Sequence, residues 1–162
     1  MRGLLIGTSG QGVMKPQTPL VRKTPRIVLL EDGKVFSQLF EDIIHGWFDN
    51  IDLVKFENGA EAWKELERTK PDLLILDWVN PGLTGHELLK LLALDQAKFP
   101  VLLTSEFFEK HLQLFSDQGW KLGFLPKPFE IKEFWAALNE LVGPSDYPEI
   151  QALVKTQVER RL

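Results

Sequence analysis

The chain has 162 residues, no cysteine, 44% hydrophobic and 26% charged residues, and a formal charge of -4, which describes one globular domain with some length to spare. A domain of this size buries roughly two-thirds of the surface its unfolded chain exposes and folds without staples, and the lack of cysteine excludes zinc clusters and redox dithiols. No apolar run approaches the ~20 residues of a membrane-spanning helix, and Leu4–Ile6 is too short for a secretory signal, so a cytoplasmic address without membrane partners is expected.

Residues 1–26 hold five basic side chains and no acid, which leaves 14 basic and 23 acidic residues for 27–162. A basic, flexible leader over 1–24 is therefore expected ahead of an acidic body. Five dispersed charges without interleaved aromatics make a weak nucleic-acid patch. The run GTSGQG (Gly7 to Gly12) fits neither phosphate-loop fingerprint, and no helical pattern follows it before Pro16 and Pro19.

From Pro25 on, short apolar runs alternate with segments of helical period. The runs are Arg26–Glu31, Ile51–Phe56, Asp72–Asp77, Pro100–Ser105 and Leu122–Pro126. Several are nearly continuous aliphatic stretches, as strands covered on both faces require. Between and after them, helices are predicted from Val35, Leu39, Ile43 and Trp47 at intervals of four, then over Ala60 to Leu66, Glu87 to Leu94, Phe107 to Phe115 and Ile131 to Leu141. Five β/α pairs in order predict an α/β fold, a doubly wound parallel sheet with helices on both faces, because right-handed crossovers alternate the helices and five units are too few to close a barrel. A last segment, Pro148–Leu162, has Ile150, Leu153, Val154 and Val158 at helical spacing. It is marginal alone and is expected to pack on its own domain, a second copy in a homodimer, or a partner.

In such folds ligands bind beyond the carboxyl ends of the strands. The first strand ends in Glu31 and Asp32, the third in Asp77, the fourth in Thr104 and Ser105, and Lys127 follows the fifth. Close carboxylates repel and are relieved by a shared proton or a cation; all-oxygen ligands favour Mg²⁺, and no histidine or cysteine at these ends supports zinc. A lysine and a hydroxyl beside the acids suit a phosphoryl group, with Asp77 as the carboxylate that becomes phosphorylated. Ser105 suits the N-cap of the helix that follows.

The ordered set VLLED, LLILDWVNPGLTG, PVLLTS and FLPKPF, with 45 residues from Asp32 to Asp77 and 50 from Asp77 to Lys127, resembles the receiver domain of two-component response regulators, over about Thr24 to Gly143. The resemblance implies a flavodoxin-like sheet in the order 2-1-3-4-5, within 25–143; residues 144–162 then form a C-terminal extension that is expected to be helical. It implies that Asp77 is the phosphoacceptor and that Asp32, Asp77 and the Val79 carbonyl ligate Mg²⁺, with Glu31 acting mainly through water. Thr104 and Lys127 would hold phosphoryl oxygens, and Lys127–Pro128 is the candidate for a cis peptide. Thr104 and Phe124 would form the conformational switch, with phenylalanine where many members have tyrosine. Val79, two after the acceptor, and Glu106, two after Thr104, would tune how long the phosphoryl group survives. Asn80 stands where methionine is frequent, a departure expected to matter little.

The expected role is that of a stand-alone signalling receiver rather than an enzyme. It would be phosphorylated by a sensor histidine kinase or a histidine phosphotransfer protein and would act on a downstream protein through its fourth helix, fifth strand and fifth helix, without direct DNA binding. The alternative is a pseudo-receiver that binds partners without phosphorylation; the intact set of strand-end residues argues against it. A phosphatase of the aspartyl-phosphate kind would need an acid at Val79, and a flavin carrier a phosphate loop where Glu31–Asp32–Gly33 stands. Of the three histidines, His45, His86 and His111 are read as surface or packing residues, and the five tryptophans as packing, with Trp78 expected over the site.

Overall fold

The computed structural model describes residues 24–48, 50–106 and 121–142. The basic leader, the predicted fourth helix and the segment Pro148–Leu162 lie outside the described residues. Within them the chain runs β1 (Arg26–Leu30), α1 (Lys34–Trp47), β2 (Asp52–Phe56), α2 (Gly59–Arg68), β3 (Leu73–Asp77), α3 (Gly85–Leu94), β4 (Val101–Ser105), β5 (Leu122–Pro126) and α4 (Ile131–Val142). The strands form one five-stranded sheet in the order β2-β1-β3-β4-β5, and every pairing is parallel, with Val28 beside Leu74 and Leu76 beside Leu103.

Alternation along each strand divides the core in two. Ile27, Leu29, Leu73, Ile75, Leu102 and Leu125 face α1 and α4, where Phe40, Ile44, Phe134 and Leu138 cover them. Val28, Leu30, Leu74, Leu76, Val101 and Leu103 face α2 and α3, against Ala62, Leu66, Leu88 and Leu92. All five residues of β3 and of β4 are buried, which is why these two segments read as unbroken aliphatic runs ending in a polar residue.

The inward stripe of α1 differs from the one its four-residue spacing suggested. Val35 is 79% exposed, whereas Phe40, Ile43 and Ile44 are buried and Phe36 and Trp47 pack against them. Leu39, Ile43 and Trp47 of the four-residue ladder do pack on the core, but four residues turn a helix by about 40° more than a full circle, so the ladder leaves it at Val35 and the covered stripe has the mixed spacing 36, 39, 40, 43, 44, 47. Trp47 then meets Trp135 at 4.5 Å between ring centroids, and Phe48 meets Trp135 edge-on at 5.5 Å. These contacts bear out the reading of Trp47 and Trp135 as packing residues.

At the amino-terminal edge of the sheet Arg26 acts as a clamp. Its guanidinium donates to Asp52 at 2.9 Å and Glu65 at 2.5 Å, and its backbone N–H to Asp72 at 2.7 Å, so one residue of β1 holds β2, α2 and the start of β3. Lys70 and Asp95 form a further ion pair on this side.

At the opposite edge, caps set where the loops end. Asn58 precedes α2 and its Oδ1 accepts from the Ala60 and Glu61 N–H groups. Thr84 and Glu87 form a capping box at the start of α3, and these bonds hold the Glu87 carboxyl below its usual range. Thr84→Ala is expected to lower stability by about 1 kcal/mol in thermal or denaturant unfolding.

Candidate functional site

The carboxyl ends of β1, β3, β4 and β5 open into one cleft of about 250 Å³. Glu31 follows β1 directly; its N–H donates to the Phe56 carbonyl at 3.0 Å, which carries the sheet pairing one residue past the strand. Its side chain is 2% exposed, and Oε1 accepts from the Gly33 N–H at 3.0 Å. A Cβ at Gly33 would lie 2.8 Å from that oxygen, so a larger residue here would push on the Glu31 carboxylate. Asp32 is exposed and lines the cleft.

Asp77 ends β3 and is buried to 7% exposure. Lys127, one residue past β5, is equally buried, and its backbone N–H donates to the Ser105 carbonyl at 2.7 Å. The peptide that follows, Lys127–Pro128, is cis, as expected. The Lys127 ammonium lies 2.5 Å from Glu31 Oε2 and 3.3 Å from Asp77 Oδ1, and it stands over the Phe36 ring, 4.5 Å from its centroid. The α1 residue that faces the core thus also supplies an aromatic floor for the cation.

Burial is the largest influence on both acids. It pushes the Glu31 and Asp77 carboxyls above their usual range, although the Lys127 charge and hydrogen bonds pull in the opposite direction. One carboxylate oxygen each from Glu31, Asp32 and Asp77 lies within 4.8 Å of the others. Opposite oxygens of an octahedral Mg²⁺ site are about 4.2 Å apart, so small rotations bring this all-oxygen set onto a hard divalent cation. The donor chemistry and the buried negative charge both fit Mg²⁺.

The structure brings Glu31, Asp32, Asp77, Lys127, Val79 and Glu106 to the same cleft. It does not bring Thr104 to the cleft wall. Thr104 is level with Asp77 across the β3–β4 pairing, fully enclosed, and its Oγ1 has no hydrogen-bond partner among the described residues. Ser105, one residue nearer the sheet edge, lines the cleft instead. Side-chain alternation separates the two hydroxyls further: Thr104 pairs with Leu125 of the core under α1 and α4, whereas Ser105 shares a face with Leu103 and Phe124, which belong to the other core. Alternation thus groups Ser105 with Phe124, and its place one residue nearer the sheet edge brings it to the cleft.

Three other residues differ from expectation. Trp78 does not line the cleft; it stacks on His86 at 5.6 Å and packs against the core under α2 and α3. Asn80 is 6% exposed, and its Nδ2 donates to the backbone carbonyl of Asp77 at 2.5 Å. Phe36 takes the inward place the ladder of fours gives to Val35 and lines the cleft, and the 36-39-40-43-44-47 pattern is the sequence signal that marks it.

Comparison with known proteins agrees with this geometry. The family model described as the response regulator receiver domain matches residues 27–139. The chain belongs to this family. It is 30% identical over 132 residues to the response regulator RppA of Synechocystis, covering 79% of this chain and 56% of that protein. It is 34% identical over 101 residues to the alkaline phosphatase synthesis transcriptional regulatory protein PhoP of Bacillus subtilis, covering 59% of this chain and 40% of that one. The chain therefore spans about half or less of the length of these relatives. The receiver domain of the sensor histidine kinase PA1611 of Pseudomonas aeruginosa, a crystal structure with a magnesium ion coordinated in its active-site cleft, superimposes with a TM-score of 0.62 at 19% identity over 75% of this chain and 99% of that one; that likeness concerns the fold. Among the described residues no helix is long and apolar enough to cross a membrane.

Proposed function

We propose that Asp77 accepts a phosphoryl group from a phosphohistidine on a sensor histidine kinase or phosphotransfer protein, in the presence of Mg²⁺, and that the unit over 25–143 then signals by protein contact. The observation that carries this reading is the buried Asp77 carboxylate, with Lys127 at 3.3 Å and two further acids in one solvent-reached cleft. In the transfer a new bond forms between an Asp77 oxygen and phosphorus as the donor's N–P bond breaks; the electron pair stays on the imidazole, which takes up a proton. Asp32, Asp77 and the Val79 carbonyl would hold Mg²⁺, with Glu31 acting mainly through water, and the cation would neutralise charge on the phosphoryl oxygens. Lys127 would move part of its attraction from Glu31 to a phosphoryl oxygen, and Ser105, in place of Thr104, would donate its hydroxyl to another. Phe124, on the Ser105 face, would respond to that movement. Val79 and Glu106 stand at the cleft where water reaches the acyl phosphate, which fits a part in its lifetime.

Residues 27–162 carry 23 acids against 14 bases, a balance that repels a phosphodiester backbone and favours a protein target over DNA. The test is labelling with acetyl phosphate and Mg²⁺, read by intact mass, beside tryptophan fluorescence during titration with Mg²⁺ and then beryllofluoride. One phosphoryl adduct and a saturable, Mg²⁺-dependent response are expected in the wild type, and Asp77→Asn is expected to abolish the adduct. Labelling that survives in this variant overturns the assignment of Asp77; no adduct and no response in the wild type leave a pseudo-receiver.

A further inference from the structure

The acceptor loop between β3 and α3 is held from two sides. From outside, the Gly59 N–H at the start of α2 donates to the Pro81 carbonyl at 2.9 Å. Contact there is close enough that a Cβ on Gly59 would fall 2.0 Å from the Leu83 carbonyl oxygen. Gly82, at φ +81°, fits against the Asn58 side chain with no room for a Cβ. From inside, Asn80 reaches back three residues, and its Nδ2 donates to the Asp77 carbonyl at 2.5 Å. Asn80 is 6% exposed, and its Oδ1 has no hydrogen-bond partner among the described residues.

A buried amide that satisfies one end and leaves the other unpaired is a poor device for stability, since the orphan oxygen offsets much of what the bond contributes. It is a good device for geometry: the bond closes a short ring through Asp77, Trp78, Val79 and Asn80, and so fixes the backbone that carries both Asp77 and the Val79 carbonyl. We propose that Asn80 is a positioning residue, whose amide holds the Asp77–Val79 backbone in the conformation that binds the divalent cation. This rests on the proposed Mg²⁺ site. A residue that orients a ligand without touching the metal commonly affects affinity by ten-fold or more.

The test compares Mg²⁺ titration by tryptophan fluorescence with thermal unfolding in the absence of Mg²⁺, on the full chain and the variants Asn80→Leu, Asn80→Ala and Asn80→Ser. Leucine has nearly the shape of asparagine and removes both the donor and the orphan oxygen. It is expected to weaken Mg²⁺ binding by roughly ten-fold while the unfolding temperature stays level or rises. Serine, whose hydroxyl can donate to a carbonyl three residues back, is expected to bind Mg²⁺ more tightly than alanine. Unchanged affinity in Asn80→Leu and Asn80→Ala overturns the proposal, and so does a loss of affinity matched in every variant by a loss of thermal stability, which is what a merely structural residue would give. A wild type without a Mg²⁺ response instead removes the proposed site on which the inference rests.

Discussion

Lys127→Met is expected to destabilise the fold by about 3–5 kcal/mol at neutral pH without Mg²⁺, the cost of removing one partner from a buried ion pair. The ammonium is enclosed by Glu31 at 2.5 Å, Asp77 at 3.3 Å and the Phe36 ring, so its loss leaves two buried carboxylates facing each other. The sign of the pH dependence follows from the direction of their shifts. Both carboxyls are already raised by burial against the opposing pull of Lys127, so the folded chain holds these protons more tightly than the unfolded chain does. Their contribution to stability is full below the ordinary carboxylate range and is lost as pH rises through the raised values. In the variant the opposing pull disappears, the values rise further, and the loss extends to higher pH. Denaturant unfolding from pH 4 to pH 8 is therefore expected to show a gap between wild type and Lys127→Met that widens with pH. A cation bound by the ionised cluster acts the other way, and Mg²⁺ at neutral pH is expected to raise the stability of the wild type. A gap that is constant across this range would show that the lost interaction is packing of the lysine stem and not its charge.

The parts of the fold that were legible in the chain are those where one physical demand acts alone. β3 and β4 are buried on both faces, so every position is apolar until the polar end, and Asp77 and the hydroxyl pair Thr104–Ser105 mark that end in the sequence. Glu31, Asp32 and Lys127 were legible for the same reason, since an acid or a lysine at the end of an aliphatic run has no other place than the rim. What was not legible depends on a difference of one residue or on contacts across the fold. Val35 and Phe36 are both apolar neighbours on α1, and which one turns inward depends on the helical phase that the whole stripe sets. Asn80 looked like an indifferent loop residue because its partner is a backbone carbonyl, which leaves no trace in residue type. Gly59 gave no sign of its role either, since the closeness that demands it is to a loop that meets it only in the folded chain.

Thr104 and Ser105 pose the sharpest form of this problem, and two substitutions separate them. Thr104→Val is expected to raise stability by about 1 kcal/mol, because it replaces an enclosed hydroxyl without a hydrogen-bond partner by a methyl of nearly the same shape. Labelling by acetyl phosphate and the beryllofluoride response should be unchanged, since this side chain is enclosed beneath the cleft and does not line it. Ser105→Ala is expected to do the reverse. Ser105 lines the cleft with Asp77 and Lys127, and a hydroxyl that donates to a charged phosphoryl oxygen contributes about 1.5–3 kcal/mol, which corresponds to roughly a 10- to 150-fold weaker beryllofluoride complex when it is lost. The change at Phe124, read by fluorine NMR on a fluorophenylalanine-labelled chain, should be lost with Ser105→Ala and kept with Thr104→Val. The opposite pattern, with Thr104→Val weakening the complex and Ser105→Ala leaving it intact, would return the phosphoryl contact to Thr104, which lies level with Asp77 across the β3–β4 pairing, and would overturn the role given to Ser105.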